Sequence, residues 1–265
     1  MRPPCFRQTG AAPVGGKSPI LAVCPIHPFS WPVTASIWKG VAYGVAGAYK
    51  DSHYRSLYFH RAGKEVDAAQ ERYISNLAGA VRRYTKTRPM FTILIAMEQL
   101  DRGACEELSE KLGGLPIFSS DRYNMYELVS ILRRCDRMVS SRYHAIVTSM
   151  PAGVVSAGVT MDERIRNLMR ERGHDHLLLR VDDPDLEDKL VVILETMDRE
   201  ADAIRDALSA TVLRNLRLMA RMGTYLEQHV ARHYPEFPVH SGTRSWEDYL
   251  PPLGPRLEEL AEARA

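Results

Sequence analysis

The chain has 265 residues, of which 45% are hydrophobic and 26% charged, the usual mixture of a globular protein long enough to bury a core. Its formal net charge of +2 gives no sign of nucleic-acid binding through bulk charge, and no apolar run approaches the roughly 18 residues of a membrane span. The four cysteines, Cys5, Cys24, Cys105 and Cys135, are scattered without C-x-x-C spacing. The sequence therefore favours a cytoplasmic protein with reduced thiols over a disulfide scaffold, and it predicts no metal site.

Residues 1–19 differ in composition from the rest of the chain. They contain four prolines, three glycines and three cationic residues, and no acidic residue. Such a segment cannot bury enough apolar surface to offset the entropy lost on ordering, so we predict that it is disordered. Its apolar residues are too interrupted for a secretory signal.

From residue 20 onwards, short apolar runs alternate with helical patterns. The predicted strands are 20–24, 91–97, 116–118, 137–140, 153–156 and 177–179. The predicted helices are 35–49, 67–84, 101–112, 124–135, 143–150 and 161–172. This alternation is typical of a parallel sheet covered on both faces, so we predict an α/β fold with a Rossmann-like, doubly wound sheet.

Two long amphipathic helices follow the predicted sheet. Apolar residues at spacings of three and four predict one helix through 186–204 and a second over 209–233. Capping-box spacing at Asn124 with Glu127, and at Thr160 with Glu163, predicts two further helix starts. The domain then runs over 20–235, and 236–265 is a loop-like tail with a short helix at 256–263.

Several common nucleotide and metal motifs are absent. No G-x-G-x-x-G follows the first strand, and no Walker loop or H-E-x-x-H occurs. The small residues Gly40, Gly44 and Gly47 fit close helix packing better than phosphate binding. The acidic run at 182–185 suggests a metal-binding motif, but a helix N-terminus explains it without a metal.

The segment Ser141-Arg142-Tyr143-His144 carries the strongest indication of chemistry. It follows a predicted strand and opens a helix, and ligands bind at the carboxyl ends of strands in open α/β sheets. Backbone N–H groups at such a helix start favour an anion, and Arg142 can hold a carboxylate or phosphate through two hydrogen bonds. His144 can exchange protons near neutral pH. The alternative is structural: Arg142 pairs with a nearby acid and His144 satisfies a buried carbonyl.

Three other segments lie at predicted strand ends. Arg164 is in the first turn of the helix after the fifth strand, where it either faces the same sheet edge or pairs with Asp162 or Glu163. His27 lies in the loop after the first strand. The segment 51–61 mixes aromatic and cationic residues, and it either lines a sugar or anion site or forms a surface loop packed by its own aromatics.

These motifs together resemble the polysaccharide pyruvyl transferases. Arg142-Tyr143-His144 matches an Arg-x-His motif of that family, and 151–155 approximates its small-residue strand. Arg164, with Gly173 at the helix end, matches a basic helix start of the family. The resemblance covers about residues 90–200.

The resemblance implies one half of a GT-B-like fold and transfer of a pyruvyl group from phosphoenolpyruvate to a sugar of a polysaccharide or its precursor. Phosphoenolpyruvate is the donor substrate and no cofactor is implied. Arg142 would bind the donor and His144 would bind it or act as general acid, with Ser141, Tyr143 and Arg164 completing the substrate site. The family commonly has another donor-binding arginine near the position of His27, which would substitute for it here.

Members of the family are usually longer, and the matched motifs belong to their C-terminal half. We therefore expect the donor-side half alone, weakly active unless a partner supplies the other half, and prone to self-association through the last long helix. Two other functions stay open: a GT-B glycosyltransferase domain that uses a nucleotide sugar, and a non-catalytic remnant or interaction module.

Overall fold

A computed structural model describes residues 18–31, 34–46, 58–59, 61–238, 242 and 244–263. The strands in these ranges are β1 (Ile20–Cys24), β2 (Thr34–Ala35), β3 (Tyr58–Phe59), β4 (Phe91–Ala96), β5 (Ile117–Ser119), β6 (Arg137–Ser140), β7 (Val155–Thr160) and β8 (Leu178–Arg180). The helices are α1 (Ile37–Val45), α2 (Lys64–Thr87), α3 (Arg102–Lys111), α4 (Met125–Leu132), α5 (Tyr143–Ser149), α6 (Glu163–Glu171), α7 (Leu186–Arg199), α8 (Ala201–His233) and α9 (Pro255–Glu262). Residues 1–17 of the segment predicted to be disordered, and most of segment 51–61, lie outside the described residues.

Six of the strands form one parallel sheet in the order β5-β4-β1-β6-β7-β8. This is the strand order of a Rossmann-like sheet, so the predicted α/β, doubly wound fold is confirmed. The chain moves outwards from β1 to β4 and β5, and then returns to β6 on the other side of β1. The order of the strands therefore reverses between β1 and β6, and ligands of such folds bind at this switch point.

Helices cover the sheet on both sides. The helices α2, α3 and α7 pack side by side, and α4 packs against α5. Right-handed crossovers place α2 and α3 on one face and α4 and α5 on the other, because the chain travels in opposite directions on either side of β1. The helix α7 follows the last strand and packs on α2. The strands β1 and β7 are almost completely buried, which explains why their sequences are nearly continuous apolar or small residues.

The local signals at helix ends are partly confirmed. Asn124 and Glu127 form the predicted capping box of α4, and Gly113 ends the α3 region with a φ of +83°, which a residue without a Cβ adopts at low cost. The predicted capping box at Thr160 is wrong. The cap of α6 is Asp162, whose side chain accepts from the N–H of Arg164, while the Thr160 hydroxyl accepts from the N–H of Asp162.

Two predicted boundaries are wrong as well. The fifth strand of the sheet lies at Val155–Thr160 rather than 153–156, because Gly153 turns the chain with a φ of +71° before the strand begins. The C-terminal helices divide at Glu200, which ends α7 and precedes α8, rather than between 204 and 209. The short helix predicted at 256–263 is present as α9.

No helix in the described part of the chain is long and apolar enough to cross a membrane.

Candidate functional site

The switch point is built by the loops that leave β1, β4, β6 and β7 at their carboxyl ends. Ser141 follows β6, and its N–H donates to the Cys24 carbonyl at the end of β1 at 3.0 Å. The next residue, Arg142, is the N-cap of α5. Its N–H donates to the Ser140 hydroxyl at 3.0 Å, and that hydroxyl donates to the Arg142 carbonyl at 2.9 Å. These hydrogen bonds fix the backbone of Arg142 independently of the contacts of its side chain.

The guanidinium of Arg142 binds the carboxylate of Asp101, which lies between β4 and α3. Arg142 Nε donates to Asp101 Oδ2 at 2.8 Å, and Nη2 donates to Oδ1 at 2.5 Å. Only 1% of Asp101 is exposed, whereas 21% of the Arg142 side chain is. Burial raises the pKa of Asp101, and the hydrogen bonds from Arg142 counteract part of that rise. Burial likewise lowers the pKa of Arg142, but the bonds from Asp101 leave it above its ordinary value.

The remaining end of the guanidinium faces a more exposed acid. Arg142 Nη1 lies 3.1 Å from Glu98 Oε1, and the Glu98 side chain is half exposed. Asp101 also accepts the N–H of Glu98 at 3.0 Å, which fixes the backbone of the loop after β4. Because Asp101 is buried and Glu98 is not, Asp101 orients the arginine whereas Glu98 occupies a position that solvent can reach.

Arg164 lies at the end of the neighbouring strand, β7. Its Nε and Nη2 both donate to Asp162 Oδ2, at 2.9 and 2.5 Å, and Nε also donates to Oδ1 at 3.1 Å. The hydrogen bonds from Arg164 lower the pKa of Asp162, and the charge of Arg142 contributes to the same direction. The positive charges of Arg142 and Arg164 also repel each other, so these two predicted site residues belong to one electrostatic cluster.

Tyr143 connects Arg164 with the predicted catalytic histidine. The Arg164 guanidinium carbon lies 5.7 Å from the centre of the Tyr143 ring, within the range of a cation–π contact. The His144 ring meets the same tyrosine edge to face, with ring centres 5.5 Å apart. His144 is exposed on the first turn of α5, so its imidazole is accessible to a ligand rather than enclosed in the core.

Ser141 lies beneath this cluster and is buried. Its hydroxyl is 2.8 Å from the Tyr73 hydroxyl and donates to the Val159 carbonyl of β7. Burial raises the pKa of Tyr73 well above its ordinary value, so the phenol stays protonated. These contacts tie the loop after β6 to α2 and β7, which is a positioning role.

His27 packs against α3. Its Nε2 is 3.5 Å from Glu107 Oε1, and a Cβ at Gly103 would stand 3.3 Å from the same nitrogen. The structure therefore brings together Arg142, Tyr143, His144 and Arg164, whereas the contacts of His27 are with Gly103 and Glu107 of α3.

The local charge balance is acidic. Two guanidinium groups, from Arg142 and Arg164, meet three carboxylates, from Glu98, Asp101 and Asp162. The structural alternative of an ion pair with a nearby acid is therefore present for both Arg142 and Arg164. An anionic ligand that binds Arg142 competes with its carboxylate partners, and of these Glu98 is half exposed and contacts a single nitrogen of Arg142.

Sequence reasoning missed Glu98, Asp101 and Tyr73. The two acids follow β4 as directly as Arg142 follows β6, so the rule that places ligand groups at the carboxyl ends of strands could have found them. Tyr73 carries no such signal, because it is one apolar position among many on α2.

Fold and site together define a Rossmann-like α/β protein with an arginine–carboxylate cluster at its switch point. Comparison with protein-family models finds none that matches, and comparison with curated proteins finds no significant match.

Proposed function

We propose that the chain is a polysaccharide pyruvyl transferase-like protein that binds phosphoenolpyruvate at the switch point and transfers its pyruvyl group to a sugar. One observation carries this proposal: Arg142 is held at the switch point by a buried acid, while its Nη1 end points to a displaceable one. Phosphoenolpyruvate carries both a carboxylate and a phosphate, and planar guanidinium groups bind such groups through paired hydrogen bonds.

The reaction needs two sugar hydroxyls and one proton donor. The first hydroxyl adds to C2 of the donor while the proton donor protonates C3, which becomes the methyl group, and the proton that the hydroxyl loses restores the proton donor. The second hydroxyl then displaces phosphate from C2, its proton leaves with the phosphate or a base, and a ketal forms. His144 is accessible and can transfer a proton, so it is assigned as the general acid. Arg164 and Tyr143 lie beside it and are assigned to donor binding.

In this proposal, the donor competes with Glu98 for Arg142. Its carboxylate occupies Arg142 Nη1 in the absence of ligand, and it must leave before a ligand anion can take that position. Glu98→Gln removes the competing charge and keeps the length of the side chain. We expect this substitution to tighten phosphoenolpyruvate binding by about two- to fivefold, the scale of a partly exposed ion pair.

The sugar acceptor would be held by a second half, supplied by another polypeptide or by self-association, since two substrates must be positioned together for efficient transfer. The protein is then a cytoplasmic transferase that needs no cofactor, and the 265-residue chain alone turns over weakly.

Isothermal titration with phosphoenolpyruvate tests the donor site. We expect Arg142→Lys, which keeps the charge but loses the planar fork, to weaken binding by about 1.5–3 kcal/mol. The matched control is Arg180→Lys, because Arg180 makes the same two-nitrogen contact with Asp182 at the end of the edge strand β8. Equal effects of the two substitutions, or the absence of phosphoenolpyruvate binding by the unaltered chain, would contradict the proposal.

A non-catalytic module is the second candidate, and the acidic balance of the cluster favours it, because every guanidinium there already has a carboxylate partner. In that case neither phosphoenolpyruvate nor a nucleotide sugar binds, even to the Glu98→Gln variant. Binding of a nucleotide sugar alone would instead indicate a glycosyltransferase domain.

A further inference from the structure

The second half of α8 exposes a row of apolar side chains. Five residues, which we call the α8 stripe, are between 48% and 69% exposed: Leu218, Met219, Met222, Tyr225 and Leu226. Their spacing places them along one side of the helix. Contiguous exposed apolar surface of this kind marks an interaction site more often than isolated apolar residues do.

The C-terminal tail covers the opposite side of α8. Ala220 is buried, and a Cβ at Gly223 would lie 2.8 Å from the Tyr249 ring. The Tyr249 hydroxyl also donates to Glu227 at 2.6 Å. The tail therefore occupies the side of the helix that faces it and leaves the α8 stripe directed outwards.

Arginines line one edge of the stripe. Arg214, Arg217 and Arg221 recur at spacings of three and four, so they form a row parallel to it. Arg214 pairs with Glu171 at 3.0 Å. Arg217 and Arg221 contact aromatic rings instead, and neither has an ion pair with a carboxylate of the described residues. Over 209–238 the sequence has four arginines and two glutamates, so this part of the chain is locally basic.

A second copy of this helix is a poor counterpart for that arrangement. In a two-fold antiparallel pair, the arginine rows of both copies would lie on the same side of the contact and repel each other. In a parallel pair, each row would face the other edge of the partner's stripe, where Leu216, Gly223 and Val230 provide no negative charge. A matching surface must therefore be apolar in its centre and negatively charged around it.

We propose that the α8 stripe docks onto the surface of an anionic lipid bilayer. The apolar side chains would enter the boundary between headgroups and acyl chains, as they do in interfacial amphipathic helices, while the arginines reach the lipid phosphates. Tyr225 is suited to the headgroup level because its ring is apolar and its hydroxyl polar. Tyr234 and Phe237, both more than half exposed, continue the aromatic surface beyond the end of α8. This inference does not depend on the proposed function.

Vesicle flotation of the full chain tests it. At about 0.1 M salt we expect binding to vesicles of phosphatidylcholine with about 30% phosphatidylglycerol, and little binding to phosphatidylcholine alone. Binding should be largely lost at about 1 M salt, where charges are screened beyond roughly 3 Å. Arg217→Ala and Arg221→Ala should each lower the partition coefficient about fivefold, the effect of one basic residue near an anionic surface.

The apolar contribution is tested with a double variant, Met222→Glu and Leu226→Glu, which should abolish binding. Val192→Glu is the matched control, because Val192 is an exposed apolar residue on α7, outside the stripe. Circular dichroism and thermal unfolding verify that each variant is folded. A folded wild-type chain that stays unbound would overturn the proposal, as would a dimer by light scattering that the double variant converts to a monomer. Equal loss of binding in the Val192→Glu variant would overturn it as well.

Discussion

Two chemically similar arginine–aspartate pairs lie at the ends of adjacent strands, and they differ chiefly in burial. The Asp101–Arg142 pair is buried on the acid side, whereas Arg164 of the Asp162 pair is 64% exposed. Replacing each aspartate with asparagine therefore measures how much burial adds to the contribution of this contact to the free energy of unfolding. Asparagine keeps the shape of the side chain and retains the ability of residue 162 to cap α6.

The expected magnitudes follow from solvent access. Loss of one partner from a buried pair costs about 3–5 kcal/mol, because the remaining charge has no partner. Arg142 is partly exposed and would keep Glu98 at 3.1 Å, so we expect Asp101→Asn to lower the free energy of unfolding by about 2–3 kcal/mol. Asp162→Asn removes an exposed pair and should cost less than about 1 kcal/mol.

Urea denaturation followed by circular dichroism measures both values. The double variant Asp101→Leu with Arg142→Met removes both charges at once, and we expect it to be more stable than Asp101→Asn alone, since the charge that loses its partner, Glu98, is half exposed. Equal costs for Asp101→Asn and Asp162→Asn would refute the reasoning, because they would show that burial of Asp101 contributes nothing.

The remaining predictions concern stability away from the switch point. Burial, together with the charge of Arg172, lowers the pKa of His174 to about 4. The unfolded chain therefore binds more protons between about pH 6.5 and pH 4, and stability should fall by up to about 3 kcal/mol as the pH is lowered through that range. His174→Gln should reduce this fall in urea unfolding at several pH values; an unchanged slope would exclude His174 as its source. At Gly158 a Cβ would stand 2.8 Å from a methyl carbon of Ile165, so Gly158→Ala should cost about 1–3 kcal/mol. The control, Gly44→Ala, meets nothing within 4 Å in a helix and should be neutral or stabilising in the same thermal-unfolding assay.

The sequence predicted the sheet well where strands are buried on both faces. The segments 20–24 and 137–140 form strands with the predicted boundaries, because every residue after the first of each strand is buried and therefore apolar or small. The boundary at Glu200 was not predictable from local signals. Neither glycine nor proline marks it, and apolar positions keep their helical spacing through it, so tertiary packing decides where α7 ends.

The sequence predicted only part of the candidate site, because only some of its residues are marked by their neighbours in the sequence. Arg142 follows a strand that is predicted by the residues directly before it in the sequence. Asp101 precedes it by 41 residues and meets it because β4 and β6 flank β1 and end at the same edge of the sheet. A contact that depends on strand order has no local pattern, so the partner of Arg142 became visible only in the folded chain.

The position of β1 also has a consequence for how the protein is made. This strand is synthesised first but lies in the middle of the sheet, where Leu21 pairs with Thr92 on one side and with Arg137 on the other. At ordinary ribosomal rates of about 5–20 residues per second, the segment up to Arg137 emerges roughly 6–25 s after Leu21. Both edges of this apolar strand are unpaired until Thr92 emerges, roughly 4–14 s after Leu21, and the edge that pairs with β6 stays unpaired for the full interval. Production of this protein in cells should therefore be sensitive to the supply of chaperones that shield unpaired strands during translation.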